Sequence, residues 1–398
     1  MPPTAKSQVP TTTIIDDLGE DLLCEIFLRL PSLPSLVRAA LTCRAFLAAV
    51  RSSPAFRRRF RSLHPPPLLG FFFESGSGSP SFSPLRRPSD PDVAAAVRGA
   101  DAPYQEDEFA GWKIQDCRGG YLLLVDSSTP QMALYSPLTR ALDLLPTPPG
   151  EISSGCRGIF YMKFTLLCST EGLESSFRVV CLCHDKDKSR VRVAVFSSGT
   201  REWRVLPWWG TPVAQPPGKK NRLLAGTQAN GSIYWAHAVQ AYMVVLDAKT
   251  LQFSLIDLPE LLRGRGHLYK SGDTKDGELC IVSAVGLTLY TWFRGADAGG
   301  DEKWMLRSVT RLKREILQVT ESPEDELAVF RLSLKVWAVL NGIVYMSVSN
   351  LDEPRLPSWF LSFCLETRKL EKLFESAFDR RMFPCFMAWP PRLVGDAV

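Results

Sequence analysis

The chain contains no apolar run of about 18 residues, the length that a membrane-spanning helix needs. The best candidate, Ile281 to Phe293, is short and is interrupted by Ser283, Thr288 and Thr291. The first 13 residues are rich in Pro and Thr and lack the hydrophobic region of a signal peptide. We therefore expect an intracellular protein, in the cytoplasm, the nucleus or both, that does not bind a membrane.

Motifs for catalysis and cofactor binding are also missing. The sequence has no phosphate-binding loop, nucleophile elbow or dinucleotide glycine pattern, and its 4 histidines are scattered. Cys181, Cys183 and His184 suggest a metal site, but structural zinc needs four ligands and no second pair is visible. On a strand the two cysteines would share one face, which favours core packing. We expect no catalytic residue, no cofactor and no metal.

A basic stripe of the kind that binds nucleic acid is lacking. Residues 1–64 hold nine Lys and Arg against five Asp and Glu, whereas the remainder holds 38 against 37. A protein that binds phosphates through its main domain would carry its excess of positive charge there. The run from Arg57 to Arg61 could be a nuclear-import or nucleic-acid patch, but a solvated helix end is the favoured interpretation. We expect no nucleic-acid partner.

The chain begins with a segment that predicts three short helices. The first runs from Gly19 to Leu30 and stops at Pro31, the second opens at Pro34, and the third ends before Ser53. Apolar residues recur at helical spacing and cover more than one face of these helices. A unit of about 50 residues cannot bury them all. They pack either on another protein or on the rest of this chain, and composition alone does not decide between the two.

The order of residues in this segment closely resembles an F-box. Acidic residues precede the Leu22-Leu23 pair, a Cys-Arg pair precedes the aromatic Phe46, and the stretch Ser53 to Arg57 closes the motif. Two positions depart from the family pattern, because Gly19 replaces the usual Pro and Phe46 stands where Trp is common. The resemblance covers about an eighth of the chain.

An F-box implies binding to a Skp-type adaptor and, through it, to a cullin scaffold that carries the ubiquitin-transfer machinery. The family pattern places the adaptor contacts on the apolar residues of the first two helices. These are Leu18, Leu22, Leu23, Ile26, Phe27, Leu30, Pro31, Leu36 and Val37.

The rest of the chain predicts a repeated hairpin. Four segments start with a large apolar residue and end, after three connecting residues, at Thr139, Thr200, Thr250 and Thr367. Polar oxygens can cap such turns, and Thr suits the start of the return strand. A second repeated pattern is a pair of tight-turn residues just before a predicted strand. These pairs are Gly119-Gly120, Asn230-Gly231, Asp276-Gly277 and Asn341-Gly342.

The spacing of these repeats favours a β-propeller over stacked β-sandwiches. The first three Thr residues lie 61 and 50 residues apart, close to the roughly 40–50 residues of a propeller blade with longer loops. Five blade-like units are visible, and residues 68–73 could pair with Met382–Trp389 to close a sixth. The sequence lacks the Trp-Asp signature of WD repeats and resembles the kelch-like F-box-associated domain of plant F-box proteins.

The predicted fold class is therefore α+β and multidomain, a small three-helix F-box followed by an all-β propeller of about six blades. We divide the chain into a disordered tail (1–13), an F-box helical domain (14–62), a Pro/Ser/Gly-rich linker with a possible closing strand at 68–73 (63–110), and a propeller (111–398).

The function expected from this organisation is a non-catalytic one. The chain would be the substrate-recognition subunit of a Skp-cullin-F-box ubiquitin ligase, with an unknown target protein on the propeller. The alternatives are an adaptor-bound scaffold without a ligase role and a propeller enzyme. Target-binding candidates are Trp208 and Trp209, beside the insertion at 210–220, although packing under their own loop is the favoured interpretation. Two further insertions lie at 295–303 and 350–357.

Overall fold

The computed structural model describes most of the chain in separate stretches. The described residues are 19–74, 80–85, 90–101, 111–129, 131–156, 158, 160–168, 176–185, 190–210, 222–296, 302–321, 332–353, 355–376, 381–390 and 393. The tail expected at 1–13, and Leu18, lie outside them. Among the described residues, none of the helices is long and apolar enough to cross a membrane.

The N-terminal domain has four helices, one more than expected. They are α1 (Glu20–Phe27), α2 (Leu33–Ala40), α3 (Arg44–Ser52) and α4 (Pro54–Leu63). The fourth begins because the Ser53 side chain accepts a hydrogen bond from the Phe56 N–H and Pro54 supplies a helical φ at the first position. Helix α1 is also shorter than predicted and ends before Leu28.

The basic run on α4 is not a fully solvated helix end. Arg57 is buried, and its guanidinium donates hydrogen bonds to the carbonyls of Val50 and Arg51 at the end of α3. The Arg61 guanidinium lies 4.7 Å from the centre of the Trp389 ring. The interpretation as a solvated end is therefore wrong for these two arginines, which join α4 to α3 and to the C-terminal part of the chain.

The segment expected to be a linker contains three regular elements. Strand β1 (Leu68–Glu74) confirms the closing strand, but β2 (Pro80–Pro84) and α5 (Pro91–Ala100) contradict the interpretation as loop. Residues 75–79, 86–89 and 102–110 lie outside the described residues. The sequence analysis missed α5 because it took this Pro-rich stretch as a loop, whereas Pro91 stands at the start of the helix. The Asp90 side chain caps α5 by accepting hydrogen bonds from the N–H groups of Asp92 and Val93.

Five antiparallel sheets follow, and each is a meander of consecutive strands that forms one propeller blade. Blade 1 is β3 (Trp112–Arg118), β4 (Tyr121–Asp126), β5 (Met132–Ser136) and β6 (Ala141–Leu145). Blade 2 is β7 (Phe160–Cys168), β8 (Phe177–Asp185), β9 (Arg190–Ser197) and β10 (Glu202–Val205), with β11 (Trp209–Gly210) also on β9.

Blade 3 is β12 (Leu223–Ala229), β13 (Ser232–His237), β14 (Tyr242–Asp247) and β15 (Phe253–Asp257). Blade 4 is β16 (Tyr269–Asp273), β17 (Leu279–Val285), β18 (Thr288–Ala296) and β19 (Glu302–Arg311), followed by α6 (Lys313–Thr320). Blade 5 is β20 (Leu332–Leu340), β21 (Ile343–Asn350), β22 (Ser358–Cys364) and β23 (Leu370–Ser376).

The sixth blade joins the two ends of the domain. Strand β24 (Met382–Phe386) pairs with β1, which in turn pairs with β2. In this register Phe72 lies opposite Phe383 and Phe73 lies opposite Met382. The closing pair was predicted from the sequence and is confirmed. The alternative of stacked sandwiches is wrong because the six sheets contact one another in a ring.

The predicted hairpins are confirmed between the third and fourth strands of blades 1, 2, 3 and 5. The residue after each repeated Thr adopts a left-handed conformation, with φ between 55° and 59°, at Arg140, Arg201, Leu251 and Arg368. The N–H of each of these residues donates to the carbonyl four positions earlier, at 2.7–2.9 Å. One turn geometry is therefore repeated four times.

The inner strand of each blade contacts the inner strands of its neighbours around a central channel. These strands are β3, β7, β12, β16, β20 and β24. Because every complete blade is an antiparallel meander that starts at its inner strand, all inner strands run in the same direction. We call the face at which they begin the amino face and the face at which they end the carboxyl face.

The helical domain packs on the carboxyl face. One hydrophobic cluster contains residues of α1–α5 together with Leu69 at the start of β1, and Met387 and Leu393 after β24. The rings of Phe60 and Trp389 lie 6.0 Å apart, edge to face. Part of the apolar surface of the F-box helices is therefore buried by this same chain, and the two domains share a core.

Deleting residues 382–398 should destabilise the whole protein. The deletion removes the inner strand of blade 6, leaves β1 without one partner, and takes Met387 and Leu393 out of the helical core. We expect loss of the cooperative native-like thermal transition, as measured by circular dichroism and calorimetry.

A chain that ends at Leu393 is the matched control, since it keeps every described residue, and it should melt like the full chain. A native-like transition after the larger deletion would contradict closure by β24.

Candidate functional site

The candidate site on the helical domain is an apolar patch on α1. The side chains of Leu22 and Ile26 lie one helical turn apart and are 52% and 43% exposed. Leu23 and Phe27, on the other side of the same helix, are only 4% and 3% exposed. Helix α1 is thus apolar on two faces, of which one belongs to the protein core and one remains open.

The buried face of α1 is fixed by aromatic packing. The Phe27 ring lies 5.3 Å from that of Phe46 on α3 and 6.5 Å from that of Phe56 on α4, in edge-to-face geometry. The Cys24 thiol donates to the Ala49 carbonyl at 3.7 Å. These contacts prevent α1 from rotating, so Leu22 and Ile26 are held outward.

The structure divides the predicted adaptor contacts into three groups. Exposed residues are Leu22, Ile26 and Pro31; half-buried residues are Leu30 and Val37; buried residues are Leu23, Phe27 and Leu36. Leu18 lies outside the described residues. The buried three support the patch from beneath, whereas the exposed and half-buried residues are the ones open to a partner in the free protein.

One exposed residue of this region was missed by the sequence analysis. Leu41, just after α2, is 49% exposed. Its position two residues before the Cys43-Arg44 pair was visible in the sequence, but apolar character alone did not indicate whether its side chain is exposed. Leu41 follows Ala40, the last residue of α2, and its side chain remains open.

Helix α2 is attached to α5 by polar contacts. The hydroxyl of Ser32 donates to Asp90 at 2.6 Å, and the hydroxyl of Ser35 donates to Asp92 at 2.9 Å. Arg38 forms an ion pair with Asp92. The hydrogen bond from Ser32 lowers the pKa of Asp90. These contacts join the start of α2 to the segment that leads into the propeller.

The second candidate site, at Trp208 and Trp209, lies on blade 2. The Trp208 ring is covered by the guanidinium groups of Arg190 and Arg192, at 4.1 and 4.5 Å from its centre, and its indole N–H donates to the Ser154 carbonyl at 3.1 Å. The Trp209 ring stacks on Phe253 of blade 3 at 5.2 Å. Both tryptophans are half-buried.

The two tryptophans are therefore engaged by their own chain, as the packing interpretation expected. The three insertions, at 210–220, 295–303 and 350–357, fall partly beyond the described residues, at 211–220, 297–301 and 354.

The Cys181-x-Cys183-His184 segment lies in the core of blade 2. Cys181 and Cys183 pack in one cluster with Ile152 and Ala194, whereas Val180 and Leu182 pack in another, so the predicted alternation is confirmed. Burial raises the pKa of the Cys183 thiol to about 12. Among the described residues no group of three or more His, Cys, Asp and Glu side chains could hold a metal ion.

Comparison of the sequence with protein-family models identifies both domains. An F-box domain model matches residues 15–58, and the model "F-box protein AT5G49610-like, beta-propeller" matches residues 113–393. The second match spans well over half of the chain. The chain belongs to the AT5G49610-like family of F-box propeller proteins. For this F-box propeller protein no match was found among curated proteins.

Solved structures with some likeness to this F-box propeller protein are distant. A protein from Lactobacillus plantarum is 10% identical, covering 78% of this chain and 82% of its own, with a TM-score of 0.38. A chain of a nidogen/laminin complex is 12% identical, covering 79% and 96%, with a TM-score of 0.38. An oligogalacturonate lyase in complex with manganese is 11% identical, covering 67% and 65%, with a TM-score of 0.34. We draw no functional conclusion from likenesses this weak.

Neighbouring leucines on α1 should differ sharply in their effect on stability. Leu23→Ala leaves a cavity in the shared core and should lower the free energy of unfolding by about 2–5 kcal/mol. Leu22→Ala removes an exposed side chain and should change it by less than about 0.5 kcal/mol. Denaturant unfolding of both variants measures the difference. Equal losses would mean that Leu22 is not an open surface residue.

Proposed function

We propose that the chain is the substrate-recognition subunit of a Skp-cullin-F-box ubiquitin ligase. Its F-box domain docks on a Skp-type adaptor, and its propeller holds a target protein. The observation that carries this proposal is the exposed Leu22–Ile26 pair on an F-box whose other apolar face is already buried. The chain itself performs no chemistry in this proposal. It raises the concentration of the target near the ubiquitin-charged enzyme.

The chemistry of the patch suits a protein partner. Burying each of the two side chains against an adaptor is worth about 1.5–3 kcal/mol. The acidic side chains of Glu20, Asp21 and Glu25 on the same helix are exposed and give the patch a polar rim. Such a centre and rim are typical of a specific protein interface, and the rigid α1 loses little entropy on binding.

Replacing both Leu22 and Ile26 with Asp should abolish adaptor binding. Two charges would have to be buried in an apolar contact, whereas in the free protein they lie in water, so the fold should survive. The measurement is capture of a purified Skp-type adaptor by the full chain, with thermal melting as a check on folding. Unchanged capture by a well-folded double variant would refute the adaptor role.

The matched control replaces two exposed leucines elsewhere. Leu142 and Leu144 on β6 are 47% and 56% exposed and belong to the propeller. Leu142→Asp with Leu144→Asp adds the same charge and should leave adaptor capture unchanged. Detection of a cullin in the captured complex then supports the ligase role, and adaptor capture without a cullin favours the scaffold alternative.

For the target we propose that the Trp208 region contributes to binding, with Trp209 acting mainly as packing between blades 2 and 3. Trp208→Ala together with Trp209→Ala should weaken capture of a target and leave adaptor binding intact, since the patch on α1 is on the other domain. The measurement is a paired pull-down in which the adaptor and an affinity-captured target are quantified against the wild type.

Single variants separate binding from packing. Trp208→Ala alone should retain the melting temperature better than Trp209→Ala, which loses the stack on Phe253. Loss of both pull-down signals in the double variant would indicate misfolding, and loss of neither would exclude this surface.

A further inference from the structure

The start of every inner strand carries a basic residue. Lys113, Lys163, Lys270 and Lys335 lie within the first four residues of β3, β7, β16 and β20, and Arg222 and Arg381 directly precede β12 and β24. Each blade therefore contributes one cation at the amino face. This set of six residues, which we call the basic ring, lies at the end of the propeller opposite to the helical domain.

Members of the basic ring converge across the channel and do not merely follow its rim. Lys163, Lys270 and Arg381 belong to blades 2, 4 and 6, so a whole blade separates each from the next. Burial lowers the pKa of both lysines, and the charge of Arg381 nevertheless acts on both and lowers it further. Arg222 acts likewise on Lys163, and Lys335 acts on Lys270. Charged groups on blades that are not adjacent can interact only when their side chains lie near the common axis of the propeller.

Two lysines of the basic ring lie without an ion-pair partner in the described part of the chain. In the part of the chain that the structure describes, neither Lys163 nor Lys270 forms an ion pair, although both are half-buried. The carboxylate of Glu74 acts on Lys163 and Arg381, and that of Asp116 acts on Arg381. Asp116 already accepts hydrogen bonds from the N–H groups of Leu166 and Cys117, at 2.8 and 2.9 Å. Lys163 and Lys270 are thus two half-buried cations that both lie within reach of the positive charge of Arg381.

The arrangement is unfavourable for the free protein. Burial, followed by the charges of Arg381 and Lys335, lowers the pKa of Lys270 to about 8. The unfolded chain therefore binds this proton more tightly than the native protein does, so the charged group opposes folding near neutral pH and the opposition fades as the pH rises above about 8. A bound anion would reverse the sign of this effect.

Aromatic contacts hold two members of the basic ring in place. The Lys335 ammonium lies 3.7 Å from the centre of the Trp337 ring, and the Trp337 indole N–H donates to the Ser347 hydroxyl at 2.8 Å. The Arg381 guanidinium lies 4.5 Å from the centre of the Phe383 ring. Both cations are thus held over aromatic faces, which fixes their positions at the amino face.

We propose that the basic ring is a binding site for phosphate-type dianions at the amino face of the central channel. Several cations that approach one point from different blades match a compact dianion with three oxygen acceptors, for which lysine supplies point charges and arginine supplies paired donors. The phosphate group comes either from a small free polyanion or from a phosphorylated side chain of a bound protein. The site is distinct from the adaptor patch and does not depend on the proposed ligase role.

The test uses the full chain and pyrophosphate, with isothermal titration calorimetry and thermal melting as readouts. Sodium chloride at matched ionic strength controls for general screening. Lys163→Met and Lys270→Met, made separately, should each weaken pyrophosphate binding about tenfold or more, because each removes a charged donor. Lys249→Met is the matched control, since Lys249 is exposed in the β14–β15 turn at the carboxyl face.

A second readout distinguishes a ligand site from a structural role. Without anion, Lys270→Met should melt at a temperature equal to or higher than that of the wild type, because it removes a repelled charge; a structural lysine would lower the melting temperature when replaced. Pyrophosphate should raise the melting temperature of the wild type and of Lys249→Met much more than that of the two ring variants.

The source of the phosphate is resolved by a phosphoserine peptide and its unphosphorylated counterpart. Binding of pyrophosphate alone supports a free polyanion, and binding of the phosphopeptide, with or without pyrophosphate, supports a phosphorylated protein segment. Failure of the wild type to bind either probe beyond the chloride control overturns the proposal. Equal binding by the wild type and both ring variants overturns it as well.

Discussion

The pairing of β1 with β24 is the constraint on which the rest of the molecule depends. It joins a strand that lies more than 300 residues away in the sequence to the first strand of the domain, and it converts a row of sheets into a closed ring. Only in a closed ring do six inner strands face one channel. The same pairing carries Leu69 and Met387 to one place, where they complete the core of the helical domain.

Because the helical domain shares a core with the propeller, the two act as one rigid support. Helix α5 is held to α2 by hydroxyl–carboxylate hydrogen bonds, and α4 is held to the C-terminal segment through Phe60 and Trp389. The apolar patch on α1 therefore has a fixed orientation relative to the amino face of the propeller. For the receptor role proposed above, such rigidity would set the distance between a bound target and the ubiquitin-charged enzyme.

The sequence predicted the architecture well where local patterns repeat. The Thr-ended hairpins predicted four blades, and the strand-like stretch at 68–73 was predicted to pair with Met382–Trp389 and close the ring. Patterns of spacing could not say which face of α1 is buried, since Leu22 and Leu23 are equally apolar and only the packing of Phe46 and Phe56 distinguishes them.

The basic ring shows why charge composition was a poor guide. Beyond residue 64 the counts of 38 basic and 37 acidic side chains predict no concentration of charge. Successive cations of the six lie 46 to 65 residues apart in the sequence, roughly the length of a blade with its loops. Their convergence becomes visible only when the starts of the inner strands are aligned, and those starts follow loops whose lengths vary.

The shared core also has a consequence for the order of synthesis. The ribosome releases α1–α4 more than 300 residues before β24, but Met387 and Leu393 belong to the hydrophobic cluster of those helices. The helical domain therefore cannot complete its packing until Leu393 has left the ribosome. A chain whose synthesis stops before β24 lacks both a closed ring and a complete core for its helices.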